Sequence, residues 1–230
     1  MRILYLYALV GDPPRRDAGR GLRRERLEVL PGRGFYVVVG RMAAPPEPRP
    51  ASLRRHDAAV RRIAGTVDAI LPIRFGSVAP DEDAVARLFA PRATELAGRL
   101  VQVRGHDQMT LRVFGRRGAP APRARVHRGT AKPRLGLGTR YLARRQRLHA
   151  GPRAPELDPI RPLLDGLVTD ERVQRHATPP LLASVYHLVP RARRAQYRTR
   201  VTLAARRLAP LRLTVSGPWP PYAFGADAWP

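Results

Sequence analysis

The 230-residue chain contains no cysteine. Disulfides and thiolate metal sites are therefore excluded, and nothing points to an oxidising compartment. Long apolar runs are also missing, since none approaches the roughly 18 residues that a membrane-spanning helix needs. Acidic residues are scarce, 18 against 43 basic ones, and most of them flank turns or helix starts. The six histidines are His56, His106, His127, His149, His176 and His187. No two of them stand at i, i+3 or i, i+4, which removes the helical metal-binding pair. Lys132 lacks the glycine frame of a phosphate-binding loop, and no Gly-x-Ser-x-Gly elbow occurs. Gly32-Arg33-Gly34 and Gly136-Leu137-Gly138 lack the strand–turn–helix context of a dinucleotide site. Asp81-Glu82-Asp83 reads as helix capping before it reads as a metal cluster. Ser77, beside Gly76, reads as a turn hydroxyl before a nucleophile. The sequence thus argues against an enzyme, and no cofactor or metal is expected.

What is abundant is arginine, proline and glycine. Lys132 is the only lysine in a chain with a formal net charge of +25. Such a field attracts phosphate backbones and anionic surfaces, so non-specific nucleic acid is one expected partner. However, the arginines are spread along the chain as pairs such as Arg15-Arg16, Arg54-Arg55 and Arg193-Arg194. Arginine, alanine, proline and glycine all have GC-rich codons, so base composition alone could supply much of this charge. Glycine and proline number 19 and 25, short of the roughly 25–30% that marks low-complexity chains. Folded segments separated by stiff loops are expected.

Ile3 to Val10 is a nearly continuous apolar run that suits a strand buried on both faces. A signal peptide fits less well, because only Arg2 precedes the run and Gly11-Asp12-Pro13-Pro14 occupies the cleavage position. A soluble, cytoplasmic protein is expected. Leu27–Leu30 and Phe35–Val39 form a hairpin around Pro31-Gly32-Arg33-Gly34. After the proline-rich linker from Ala43 to Pro50, Ser52 is placed to cap a helix reaching Ala64, with Leu53, His56, Val60 and Ile63 on its apolar face. Val67 to Phe75 reads as a strand. Asp81 then caps a helix with an apolar stripe of Val85, Leu88, Phe89, Ala93, Leu96 and Leu100, and Pro91 should kink or split it. Met109–Phe114 reads as a strand and Gly115–Pro133 (about residues 115–135) as a flexible loop. Helices are expected over Thr139–His149, from Asp158 to about Arg175, and from Ala192 to Leu208. Leu181–Val189 and the stretch from Leu211 to Ser216 read as strands. His56 and His187 read as satisfied core residues.

Two blocks carry more information than these patterns. One is Leu71-Pro72-Ile73-Arg74-Phe75-Gly76-Ser77-Val78, followed by the Pro80-Asp81 helix start. The other is Gly217-Pro218-Trp219-Pro220-Pro221-Tyr222-Ala223-Phe224. There a glycine releases the last strand, and the prolines should end it and leave a stiff, extended plug bearing three large aromatic residues. Together with Leu4-Tyr5-Leu6-Tyr7, Gly138–Arg145 and Ala183–Val189, these blocks resemble the GvpL/GvpF family of gas vesicle proteins, in the family's order from one end of the chain to the other.

The resemblance implies an α+β fold of two small domains, with residues 1–104 forming an N-terminal α+β domain and residues 105–230 a modified ferredoxin-like domain, an antiparallel sheet with helices on one face. It also implies a non-enzymatic accessory or minor structural role in gas vesicle assembly, with the hydrophobic shell protein and other vesicle accessory proteins as partners. Candidate interaction or family-motif residues are Arg74, Phe75, Gly76, Gly217, Pro218, Trp219, Pro220, Pro221, Tyr222 and Phe224. Arg74 interrupts an apolar stretch, so it should either form a structural ion pair or contact a partner protein. The aromatic plug should pack across the sheet of its own domain before it is displayed to an adaptor as a Pro-x-x-Pro ligand.

Overall fold

The computed structural model describes residues 2–116 and 153–225. Strand β1 (Ile3–Val10) is the spine of the first sheet. It pairs antiparallel with β3 (Tyr36–Met42) on one side, and with β4 (Ile70–Pro72) and β5 (Val78–Ala79) on the other. The expected hairpin joins β2 (Leu27–Pro31) to β3, which gives the order β2-β3-β1-β4. Leu4, Leu6 and Leu9 of β1 face a core closed by α2 (Glu82–Phe89) and α3 (Ala93–Val103). Tyr5, Tyr7, Ala8 and Val10 face a second core closed by α1 (Pro50–Ala64). Burial on both faces explains why β1 is apolar throughout.

Local chemistry sets several boundaries. Asp81 caps α2 by accepting the Ala84 amide at 2.7 Å. Pro91 splits the long helical pattern as expected, with a 3-10 turn at Ala90–Arg92 between α2 and α3. Helix α1 differs from expectation: it starts at Pro50, with Arg49 rather than Ser52 at the cap, because proline's fixed φ suits the first helical turn. Leu53 is exposed, while His56, Val60 and Ile63 are buried. The strand expected over Val67–Phe75 is only Ile70–Pro72, since Pro72 has no amide to extend the ladder.

The second sheet contains β6 (His106–Phe114), β7 (Asp170–Arg175), β8 (Leu181–Pro190) and β9 (Arg212–Trp219), all antiparallel, in the order β7-β8-β6-β9. Helix α4 (Arg194–Ala205) and flanking 3-10 turns cover the face that carries Met109, Leu111, Val113, Ala183, Val185 and Val189. One helical expectation fails. Asp158–Arg175 is a 3-10 turn at Arg161–Leu164 followed by strand β7. Pro162 and Gly166 interrupt the helix, and the β-branched Val168, Thr169 and Val173 favour extended backbone. The helix expected over Thr139–His149 and the loop beyond Arg116 lie outside the described residues.

The chain is therefore α+β, with two antiparallel sheets. Among the described residues the helical cover of the second sheet is one-sided, which is compatible with a ferredoxin-like arrangement. Its other face turns toward the first half of the chain, where Leu188 joins the core of β1, α2 and α3 and Tyr186 packs against it.

Candidate functional site

The last strand does not stop at the glycine. β9 pairs with β6 up to Ser216, Gly217 and Pro218 bulge out, and pairing resumes where Trp219 faces Gln108. This corrects the expectation that the prolines end the strand. β9 is an edge strand, where a bulge accommodates a residue lacking an amide donor. Gly217 has φ +118°, and a Cβ there would lie 2.8 Å from the Gln108 carbonyl, so both conformation and space demand glycine. The plug is not extended throughout either. After the buried Pro220 and Pro221 it closes into a single helical turn, α5 (Tyr222–Gly225).

This tail spans the two halves of the chain. The Ala223 amide donates to Gln108 Oε1 at 2.8 Å, which ties the tail to the sheet it came from. Tyr222, in contrast, donates its hydroxyl to Asp57 Oδ1 of α1 at 2.7 Å, across 165 sequence positions. Burial first, and then this carboxylate, push the Tyr222 hydroxyl well above its ordinary pKa, so it remains a donor. Phe224 is 2% exposed and lies in the first core with Leu71, Leu96 and Leu100. The Arg61 guanidinium stacks 4.1 Å from the centre of the half-buried Trp219 ring. Packing against the tail's own sheet is thus only part of the answer, because Tyr222 and Phe224 are seated in the other half.

The tail meets the other motif block there. Gly225 lies against Leu71 and Pro72, and Phe75 and Tyr222 pack against the second core, the one closed by α1. Phe75 stands edge-on to Tyr5 and His56, with ring centres 6.2 Å and 5.6 Å away. Gly76 adopts φ +89° and donates its amide to the Tyr5 hydroxyl at 3.1 Å, a turn that other residues adopt only under strain. Tyr5 also bonds His56 Nδ1 at 2.9 Å. Burial pushes the Tyr5 hydroxyl up to about 12 and lowers the His56 pKa, which keeps the imidazole neutral. Tyr7 donates to Glu25 and accepts the Leu22 amide. The tyrosines of the opening block therefore have structural duties. Arg74 does not form the structural ion pair that was one of its two expected roles: it is exposed and has no ion pair among the described residues, because the apolar strand has already ended at Pro72.

A model of the family described as "Gas vesicle synthesis protein GvpL/GvpF" matches residues 3–226. The chain belongs to the GvpL/GvpF family. Gas vesicle protein F of Streptomyces sp. (strain CB03234) is 25% identical over 238 residues, covering 94% of this chain and 90% of that protein. Two crystal structures share the fold. GvpF from Anabaena sp. PCC7120 matches with a TM-score of 0.70 at 17% identity, over 98% of this chain and 96% of its own. GvpF from Microcystis aeruginosa matches with a TM-score of 0.72 at 16% identity, over 97% and 98% of the two chains.

In this GvpL/GvpF chain, no group of three or more histidines and carboxylates gathers to hold a metal among the described residues. No helix among them is long and apolar enough to cross a membrane. His187 is buried and satisfied at both nitrogens, by the Tyr197 hydroxyl at 2.7 Å and Glu171 at 2.9 Å. The residues that seat the tail escaped sequence reasoning. Gln108 gave no signal, whereas the i, i+4 spacing of Asp57 and Arg61 on α1 could have marked them as a pair.

Proposed function

We propose that this chain is a non-enzymatic accessory or minor structural protein of gas vesicle assembly, working in the cytoplasm at the growing vesicle. It contacts the hydrophobic shell protein or other vesicle accessory proteins. The observation that carries this reading is the family match over residues 3–226. The non-enzymatic role is supported by the titratable groups of the core. His56, His187, Tyr5 and Glu171 are each engaged in structural hydrogen bonds. Two domains meeting near Gly105 suit this role; the Gly105 amide donates to Asp68 and its carbonyl accepts the Arg191 amide, at 2.8 and 3.0 Å. Among the motif residues, Arg74 and Trp219 are the contact candidates, the first exposed and without an ion pair among the described residues, the second half-exposed. Phe75, Gly76, Gly217, Pro218, Pro220, Pro221, Tyr222 and Phe224 hold the surface in shape.

The test is capture of the host's shell and accessory vesicle proteins at about 0.3 M salt with nuclease present, because +25 charges recruit nucleic acid at low salt. Capture of a vesicle component that weakens on Trp219→Ala is expected, together with loss of vesicles on deletion of the gene. Normal vesicles in the deletion strain would overturn the assembly role. Binding that disappears with the nucleic acid would favour an electrostatic nucleic-acid binder instead.

A further inference from the structure

A pocket of about 320 Å³ opens where the two halves meet, lined by Arg61, Arg191, Arg194, Asp107 and the Pro218-Trp219-Pro220 wall. Three arginines from different elements converge on it, and the lining holds a single carboxylate. Asp107, 14% exposed, is shared by Arg191 at 3.2 Å and Arg194 at 2.8 Å. Arg61 is paired outside the lining, with Asp57 at 2.7 Å. Each guanidinium keeps an Nη without an acceptor among the described residues: Nη1 of Arg61 and Nη2 of both Arg191 and Arg194. The wall beside them is an indole flanked by two prolines, which offers apolar contact at low conformational cost.

We propose that this pocket is a docking site for a short acidic segment of a partner protein. A carboxylate enters among the free Nη groups, and an apolar neighbour rests on the Pro218-Trp219-Pro220 wall. Charge complementarity selects an anion, and the apolar Pro218-Trp219-Pro220 wall beside the guanidinium groups selects one carried next to an apolar side chain, as in an acidic peptide segment. One face of the Trp219 ring is covered by Arg61, which leaves a single face for an apolar side chain of the segment. The pocket shares Trp219 with the proposed vesicle contact, but its chemistry can be tested without any vesicle protein.

The chain has two tryptophans, so Trp229→Phe leaves Trp219 as the sole indole reporter. In that background, the probe is a capped peptide with two glutamates flanking a phenylalanine, titrated at about 0.15 M salt. Saturable change in Trp219 emission is expected. The same peptide with glutamines, and the Arg194→Gln protein, should bind roughly tenfold more weakly. Arg61→Gln, on the outer face of α1, supplies a second variant read by calorimetry should Arg194→Gln fail to fold. Arg55→Gln, an equal charge change on the same helix but outside the pocket, should bind normally. Equal binding of the glutamine peptide, or equal loss with Arg55→Gln, overturns the proposal in favour of bulk electrostatics. Saturation by inorganic phosphate or an oligonucleotide, but not by the acidic peptide, overturns it in favour of a phosphate site.

Discussion

The first sheet has helices on both faces, α1 on one and α2 with α3 on the other, whereas among the described residues the second has helices on one face only. The first half could close most of its apolar surface with its own elements. The second half leaves the face bearing Gln108, Tyr186 and Leu188 to be covered from outside. The cover comes from the first half and from the tail: Phe224 enters the core that receives Leu188, and Ala223 bonds Gln108. A sheet with one-sided helices is thus completed by a neighbour, and the aromatic block that looked built for binding is first a cross-link between halves.

Removing that cross-link should have the largest effect. Phe224→Ala deletes a buried ring and should cost about 3–5 kcal/mol in urea unfolding. Hydrogen exchange should quicken in both β1 and β8; faster exchange in β8 alone would show that the halves are not coupled through the tail. Tyr222→Phe keeps the ring and loses only the bond to Asp57, which still has Arg61, so about 1 kcal/mol is expected.

Acid should separate the halves without mutation. His56 has a lowered pKa in the folded chain through burial, so the unfolded state binds more protons below about 6.5. Stability of the first half should therefore fall as pH drops from there, and His56→Asn should flatten that limb. Glu171, in the second half, is pushed up by burial, but the hydrogen bonds from His187 and Arg161 outweigh this and hold its carboxyl below the ordinary value. Its contribution is present above about 4.5 and is lost as pH falls toward the lowered value, so Glu171→Gln should flatten a second, more acidic limb. A single acid transition unaffected by either substitution would erase the distinction. The smallest effect is expected at Arg74, where Arg74→Glu should change stability by no more than about 0.5 kcal/mol, while vesicle assembly responds if the residue is a contact.

How much of this was readable in the sequence depended on whether the cause was local. β1, the hairpin, the Asp81 cap and the break at Pro91 follow from neighbouring residues, and all four are found. β7 was misread as helix because its strand character comes from pairing with β8, which outweighs a weak helical pattern interrupted by Pro162 and Gly166. The two motif blocks could be quoted, but not their meeting. Nothing near Tyr222 in sequence indicates Asp57, and nothing near Phe224 indicates Leu96. Arg74 called for an ion pair only as long as its strand continued past Pro72, where it in fact ends.

The seating of Phe224 also has a consequence for synthesis. The core around β1, α2 and α3 leaves the ribosome long before the ring that fills it, and folding proceeds from the N-terminus as chains emerge. Until Phe224 arrives, Leu71, Leu96 and Leu100 lack one of the side chains they pack against. A product cut short before the tail would expose that apolar surface to chaperones and proteases. In this protein, the core of the first half is completed by a residue translated near the other end of the fold.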